Sequence, residues 1–170
     1  GTVAMAVVYI AFMEMLLNQG LSAALVQRKS LRPAHLHGVF WLNVVVSVAL
    51  ALASIAAAPW WARVNGLPAL APVINVLSVT LPLRGLILVQ QSLVTRSLRF
   101  RALAVRDTAS VLVGGALGIA LAWRGYGVWA LVAARLAESV VAVALMWSLS
   151  AWRPRMRLSF ARLRQVLAFS

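Results

Sequence analysis

The sequence contains no cysteine, and only three of its 170 residues are acidic. Without cysteine there is no disulfide framework, no thiolate metal site and no thiol nucleophile. With three acids, catalysis by paired carboxylates has almost no material. No glycine-rich phosphate loop of the P-loop type is present, and no Ser/His/Asp grouping occurs. His35 and His37 are two residues apart, a spacing that shares no helix face, with no carboxylate nearby in sequence. Neither a metal site nor a cofactor is expected.

What abounds is apolar. Hydrophobic residues make up 63% of the chain, charged residues 11%, and the mean hydropathy is +0.91. Soluble domains carry roughly 45–50% apolar and about 25% charged residues. A chain this apolar cannot cover itself with polar surface in water, which excludes an ordinary soluble domain and a disordered segment. The net charge of +13 is the usual footprint of nucleic-acid binding. Here the basic residues are split among short connections between apolar runs, so no nucleic-acid partner is expected.

Five apolar segments are predicted: 1–18, 38–58, 70–93, about 104–123, and 128–149. Each approaches the roughly 20 residues needed to cross a hydrocarbon core about 30 Å thick. None alternates with a period of two, and irregular backbone cannot face lipid, so the segments are helices and not barrel strands. The fold class expected is all-α, a polytopic membrane helical bundle of about five transmembrane helices over 1–150, followed by a basic cytoplasmic linker at 151–170. Residue 1 is Gly and the apolar run begins at once, with no charged leader or cleavage site. The chain therefore reads as a piece of a longer membrane protein. Pro59, Asn65-Gly66 and Pro68 are expected to form one connection and Gly125-Tyr126-Gly127 another, while Pro82 and Gly85 should kink the third segment.

Orientation follows from the 16 basic residues. Arg28, Lys29 and Arg32 lie in the first connection, Arg63 in the second, Arg96, Arg99, Arg101 and Arg106 in the third, Arg124 in the fourth, and Arg153, Arg155, Arg157, Arg162 and Arg164 in the tail. Excess Lys/Arg marks cytoplasmic loops, so the first and third connections and the tail face inward. All seven Trp lie near segment ends, the pattern of an interfacial belt. The clusters at 96–101 and 153–157 suit anionic headgroups, each charge contributing about 1 kcal/mol near the surface. The sharper alternative is first capture of a phosphorylated lipid by Arg96, Arg99 and Arg101.

Four charges lie within segments: Glu14, Arg84, Arg135 and Glu138. Such groups are costly in lipid and face a bundle interior or a wet cavity. Arg135 and Glu138 are three apart and share a helix face; they either neutralise each other or line a cavity. Glu14 and Arg84 should sit at similar depth and pair between helices. In the functional alternative, Arg84 attracts a phosphate, a task suited to a guanidinium. Arg106 and Asp107, at the start of the fourth segment, read as interfacial. Gly114 and Gly118 form a GxxxG and signal close helix packing.

Several stretches taken in order, GLSAALVQRKSL (20–31), FWLNVVVSVALALA (40–53), LAPVINVLSVTLPLRGLILVQQSLVTRSLRFRALAVRD (70–107), GYGVWALVAARL (125–136) and WRPRMRLSF (152–160), resemble the polysaccharide-transporter branch of the MOP flippase superfamily. The resemblance covers nearly the whole chain. It implies twelve to fourteen helices in two similar lobes around a cavity. The chain would then correspond to the second to sixth helices of the first lobe, with the remainder of the same chain completing the transporter. It also implies the substrate, a polyprenyl-pyrophosphate-linked oligosaccharide moved across the bacterial inner membrane for polysaccharide or lipopolysaccharide synthesis, with membrane lipids as the other partner and no enzymatic step. No family motif maps onto Arg84, so its role rests on its position. The rivals are a MATE-like exporter of cationic drugs and a membrane glycan polymerase or ligase. The balance of two arginines against two glutamates argues against the first, and the short outer connections argue against the second.

Overall fold

The computed structural model describes residues 2–26, 33–150 and 152–153. Six helices follow in order: α1 (Thr2–Val26), α2 (Pro33–Val64), α3 (Leu70–Leu77), α4 (Thr80–Arg96), α5 (Phe100–Trp123) and α6 (Val128–Leu149). Four stretches are long and apolar enough to cross a membrane: Leu36–Val64, Leu70–Arg96, Phe100–Trp123 and Val128–Leu149; α1 adds a shorter apolar stretch, Ala4–Leu17. The shortest of the four, with 22 residues, rises about 33 Å at 1.5 Å per residue. Among the described residues the only regular structure is helical, as in a multi-pass membrane protein.

The second span runs straight through Pro59, which lies inside α2 and not in the connection expected there. In lipid the helix is the arrangement that pairs the most backbone groups, so it resumes around the proline. The stop comes at Gly66. Its φ is +65°, Leu67 N–H donates to Ala62 O at 3.0 Å, and Asn65 Nδ2 donates to Trp61 O at 2.9 Å. α5 ends in the same way on Gly125, with φ +84° and Tyr126 N–H donating to Leu121 O. Both are glycine-based helix stops in which left-handed backbone satisfies the last carbonyls.

The third span is interrupted at 78–79, ahead of Pro82. Pro82 is the third residue of α4, where its missing N–H does not break a full helical turn. The carbonyls around the break find other donors. Leu81 N–H donates to Ser78 O, Ser78 Oγ to Ile74 O and Thr80 Oγ1 to Leu77 O.

Packing fixes the antiparallel course. The buried stripe of α2 is Leu36, Phe40, Asn43, Ser47, Ala51, Ser54, Ala58 and Ala62, at the three- and four-residue spacing of one helix face. Against it lies α4. Phe40 packs near Val89, and a side chain at Gly85 would meet Ser47 Cβ at 2.9 Å. α5 packs most extensively on α6, Gly114 and Gly118 lying against Ala134, with Glu138 and Ala130 beyond. The outward face of α5 exposes Val105, Leu112, Ile119 and Trp123, as a lipid-facing surface requires.

The tryptophans divide. Trp60, Trp123 and Trp129 are exposed at one end of the bundle, where a belt belongs. Trp41, Trp147 and Trp152 are instead packed around Phe40 and Val89 at the other end, and Trp152 stacks on His37 with ring centroids 5.3 Å apart. There they serve interhelical packing.

Candidate functional site

Two adjoining clefts open between the helices. One is lined by Arg84 from α4, Arg106, Asp107 and Ser110 from α5, and Glu138 and Ser139 from α6. The other is lined by Glu14 from α1, Thr80 and Arg84 from α4, and Arg135, Glu138 and Ser139 from α6. Arg84, Glu138 and Ser139 border both.

Close approach of α5 and α6 places Glu138 in this position. A Cβ on Gly114 would lie 2.7 Å from Ala134 O and 3.1 Å from Glu138 Cβ. The glycine thus lets α5 approach α6 at the level of the carboxylate. Gly115, next in sequence, faces open space.

All three acids of the chain are ion-paired with an arginine here. Arg84 Nε lies 3.4 Å from Glu14 Oε1, joining α4 to α1. Arg135 Nη1 donates to Glu138 Oε2 at 3.0 Å along α6. Arg106 donates from Nε and Nη2 to Asp107 Oδ1 at 2.9 and 2.6 Å, and from Nη1 to Gln91 Oε1 of α4 at 3.2 Å. The formal charges of the six cancel. Their surroundings differ. The Arg84 and Arg135 side chains are 46% and 56% exposed, that of Arg106 only 5%.

The four intramembrane residues singled out from sequence are therefore brought together around one pair of clefts. The sequence reading places Arg106 near the interface; the structure adds that it is the most buried of the three paired arginines, held in the seam between α4 and α5. The scarcity of acids is the signal in the sequence that points to it, because Asp107 is one of only three. Arg96, Arg99 and Arg101 border neither cleft. They lie exposed at the turn from α4 to α5, at the end of the bundle that also holds Arg153. The basic residues of the first connection, and of the tail beyond Arg153, fall outside the described residues.

The clefts hold about 130 and 170 Å³, room for a few waters and below the roughly 300–1,000 Å³ of a small-molecule pocket. Chemically the site offers guanidinium groups to an anion, each already holding a carboxylate that an incoming anion must compete with or release.

Residues 1–170 match the protein family described as polysaccharide biosynthesis protein. The chain is 30% identical over 170 residues to the succinoglycan biosynthesis transport protein ExoT of Rhizobium meliloti (strain 1021), covering all of this chain and 34% of that protein. It thus spans about a third of the length of this curated relative. No solved structure matches the chain.

Proposed function

The chain belongs to this polysaccharide biosynthesis family, the polysaccharide-transporter branch of the MOP flippases, and we propose that it forms part of a transporter for polyprenyl-pyrophosphate-linked oligosaccharide. The cargo passes from the inner to the outer leaflet of the bacterial inner membrane, without covalent chemistry. In this reading residues 1–150 supply membrane helices of one lobe and 151–170 a basic cytoplasmic linker to the other.

The observation that carries the reading is the pairing of all three acids with arginines around two adjoining clefts. Charge inside a membrane bundle is expensive and marks a substrate or ion path. Guanidinium groups match phosphate oxygens in a planar fork. Arg84 and Arg135 receive the pyrophosphate, while Glu14 and Glu138 balance them when the site is empty. Rocking of one lobe against the other opens the clefts to each side in turn. Arg96, Arg99 and Arg101 hold the anionic headgroup at the inner surface before entry.

The relative's identity as a succinoglycan biosynthesis transport protein supports transport over an enzymatic role. The experiment is depletion of the complete protein with the lipid-linked glycan followed by leaflet. Accumulation in the inner leaflet is the expected result; arrival at the outer face at the normal rate overturns the reading.

A further inference from the structure

Arg106 and Asp107 are neighbours in sequence, and adjacent residues of a helix do not face each other. Gln91 of α4 holds Nη1 of the guanidinium in the seam. The Asp107 carboxylate reaches it from the next position on α5. Asp107 is 61% exposed, whereas the arginine it neutralises is 5% exposed.

The pairing is also incomplete in form. Arg106 Nε and Nη2 both donate to a single oxygen, Asp107 Oδ1. A guanidinium fork pairs best with two oxygens side by side, which a phosphate presents. The buried arginine needs an anion, since an uncompensated charge in a dry seam is strongly unfavourable. The exposed aspartate supplies one without occupying the full fork. Arg106 stands in the cleft with Arg84, Ser110 and Glu138. It lies six residues from the start of α5, about 9 Å along the helix at 1.5 Å per residue, on the side nearer Arg99 and Arg101.

We propose that Arg106, oriented by Gln91, is an anion-docking subsite of the cleft, and that Asp107 is its exchangeable counter-ion, displaced by a phosphate-type group. The subsite lies between the exposed arginines of the α4–α5 turn and Arg84, so it receives the anion before the central arginines do. That order rests on the transport reading given above; the exchange itself rests on the Arg106–Asp107–Gln91 geometry. The shared ligand chemistry is a phosphate or pyrophosphate, whether borne by a lipid or free.

The test is calorimetric binding to the complete protein purified in detergent, with inorganic pyrophosphate and farnesyl pyrophosphate as separate probes. Removing a competing charge should tighten binding to Asp107→Asn about tenfold over the wild type. Arg106→Gln should weaken it at least about tenfold, and the double variant should show no gain. Asp107→Ser, with a thermal melt of each variant, guards against a folding defect in one of them. A gain with farnesyl pyrophosphate alone identifies a lipid-borne source, a gain with inorganic pyrophosphate alone a free one; both support the subsite. Binding by Asp107→Asn and Asp107→Ser that is no tighter than wild type overturns it, because the aspartate then only positions Arg106. No binding by any form overturns it as well. A gain in binding without movement of glycan between leaflets keeps the subsite and removes the transport reading. Glycan movement without the gain does the reverse.

Discussion

Arg84 Nε lies 3.4 Å from Glu14 Oε1 and joins α4 to α1 across a cleft that both residues line. The two residues are 70 positions apart, and their pairing follows from depth: each lies in mid-span of a helix entering from the same side. Both are partly exposed to the cleft, so the attraction is modest, roughly 0.5–1 kcal/mol for a pair of this kind. Glu14→Arg combined with Arg84→Glu should restore the thermal stability and transport lost in either single variant. A double-mutant cycle on melting temperature, alongside a transport assay, measures this; no rescue at normal expression would mean the residues act separately.

A second expectation concerns the approach of α5 to α6. Gly114 leaves no room for a Cβ beside Ala134 O, while Gly115 faces open space. Gly114→Ala should destabilise by about 1–3 kcal/mol, the range for overpacking, and displace Glu138. Gly115→Ala should be neutral or slightly stabilising. Thermal unfolding of the two variants side by side decides it, and equal behaviour would contradict the packing described.

Leu98 closes the turn between α4 and α5 with φ +54°. Left-handed backbone costs a side chain roughly 1–2 kcal/mol, and glycine is the usual residue at such a helix stop. Leu98→Gly should raise the melting temperature, a gain of about 1 kcal/mol less the added freedom of the unfolded chain. Its exposure means little packing is lost. A lower melting temperature would show that Leu98 has a packing partner.

Asn43 and Gln90 are fully buried, on the facing helices α2 and α4, and neither amide has a hydrogen-bond partner among the described residues. Burying an amide unpaired costs about 1–3 kcal/mol in proteins. Asn43→Leu, with the same branching and the same number of side-chain heavy atoms, should therefore stabilise the packed seam by up to an amount of that order, less the cost of fitting the bulkier methyl groups. If the variant melts lower, the amide is satisfied in the folded protein.

Much of this architecture was legible in the sequence because lipid leaves few choices. A run of apolar residues must be helical, and charges within it must turn inward. That logic places Glu14, Arg84, Arg135 and Glu138 at one site without any view of the fold. It handles breaks less well. Pro59 looks like a stop, yet in lipid the backbone resumes hydrogen bonding beyond it, and Gly66 ends the helix because its left-handed conformation satisfies the last carbonyls. Arg106 looks interfacial because it stands near a basic connection. Only the closeness of α4, which brings Gln91 to its guanidinium, reveals it as buried. The same holds for Trp41 and Trp147: position along the chain gives their depth, but whether they face lipid or a neighbouring helix is decided by tertiary packing.

The most direct measurement is the rate at which lipid-linked glycan reaches the outer leaflet in depleted cells carrying Arg84→Gln or Arg135→Gln, at matched membrane abundance. Loss of a charge-assisted contact of about 1.5–3 kcal/mol should slow each variant by roughly tenfold or more. Rates equal to wild type in both would contradict the assignment of the paired arginines to the substrate path.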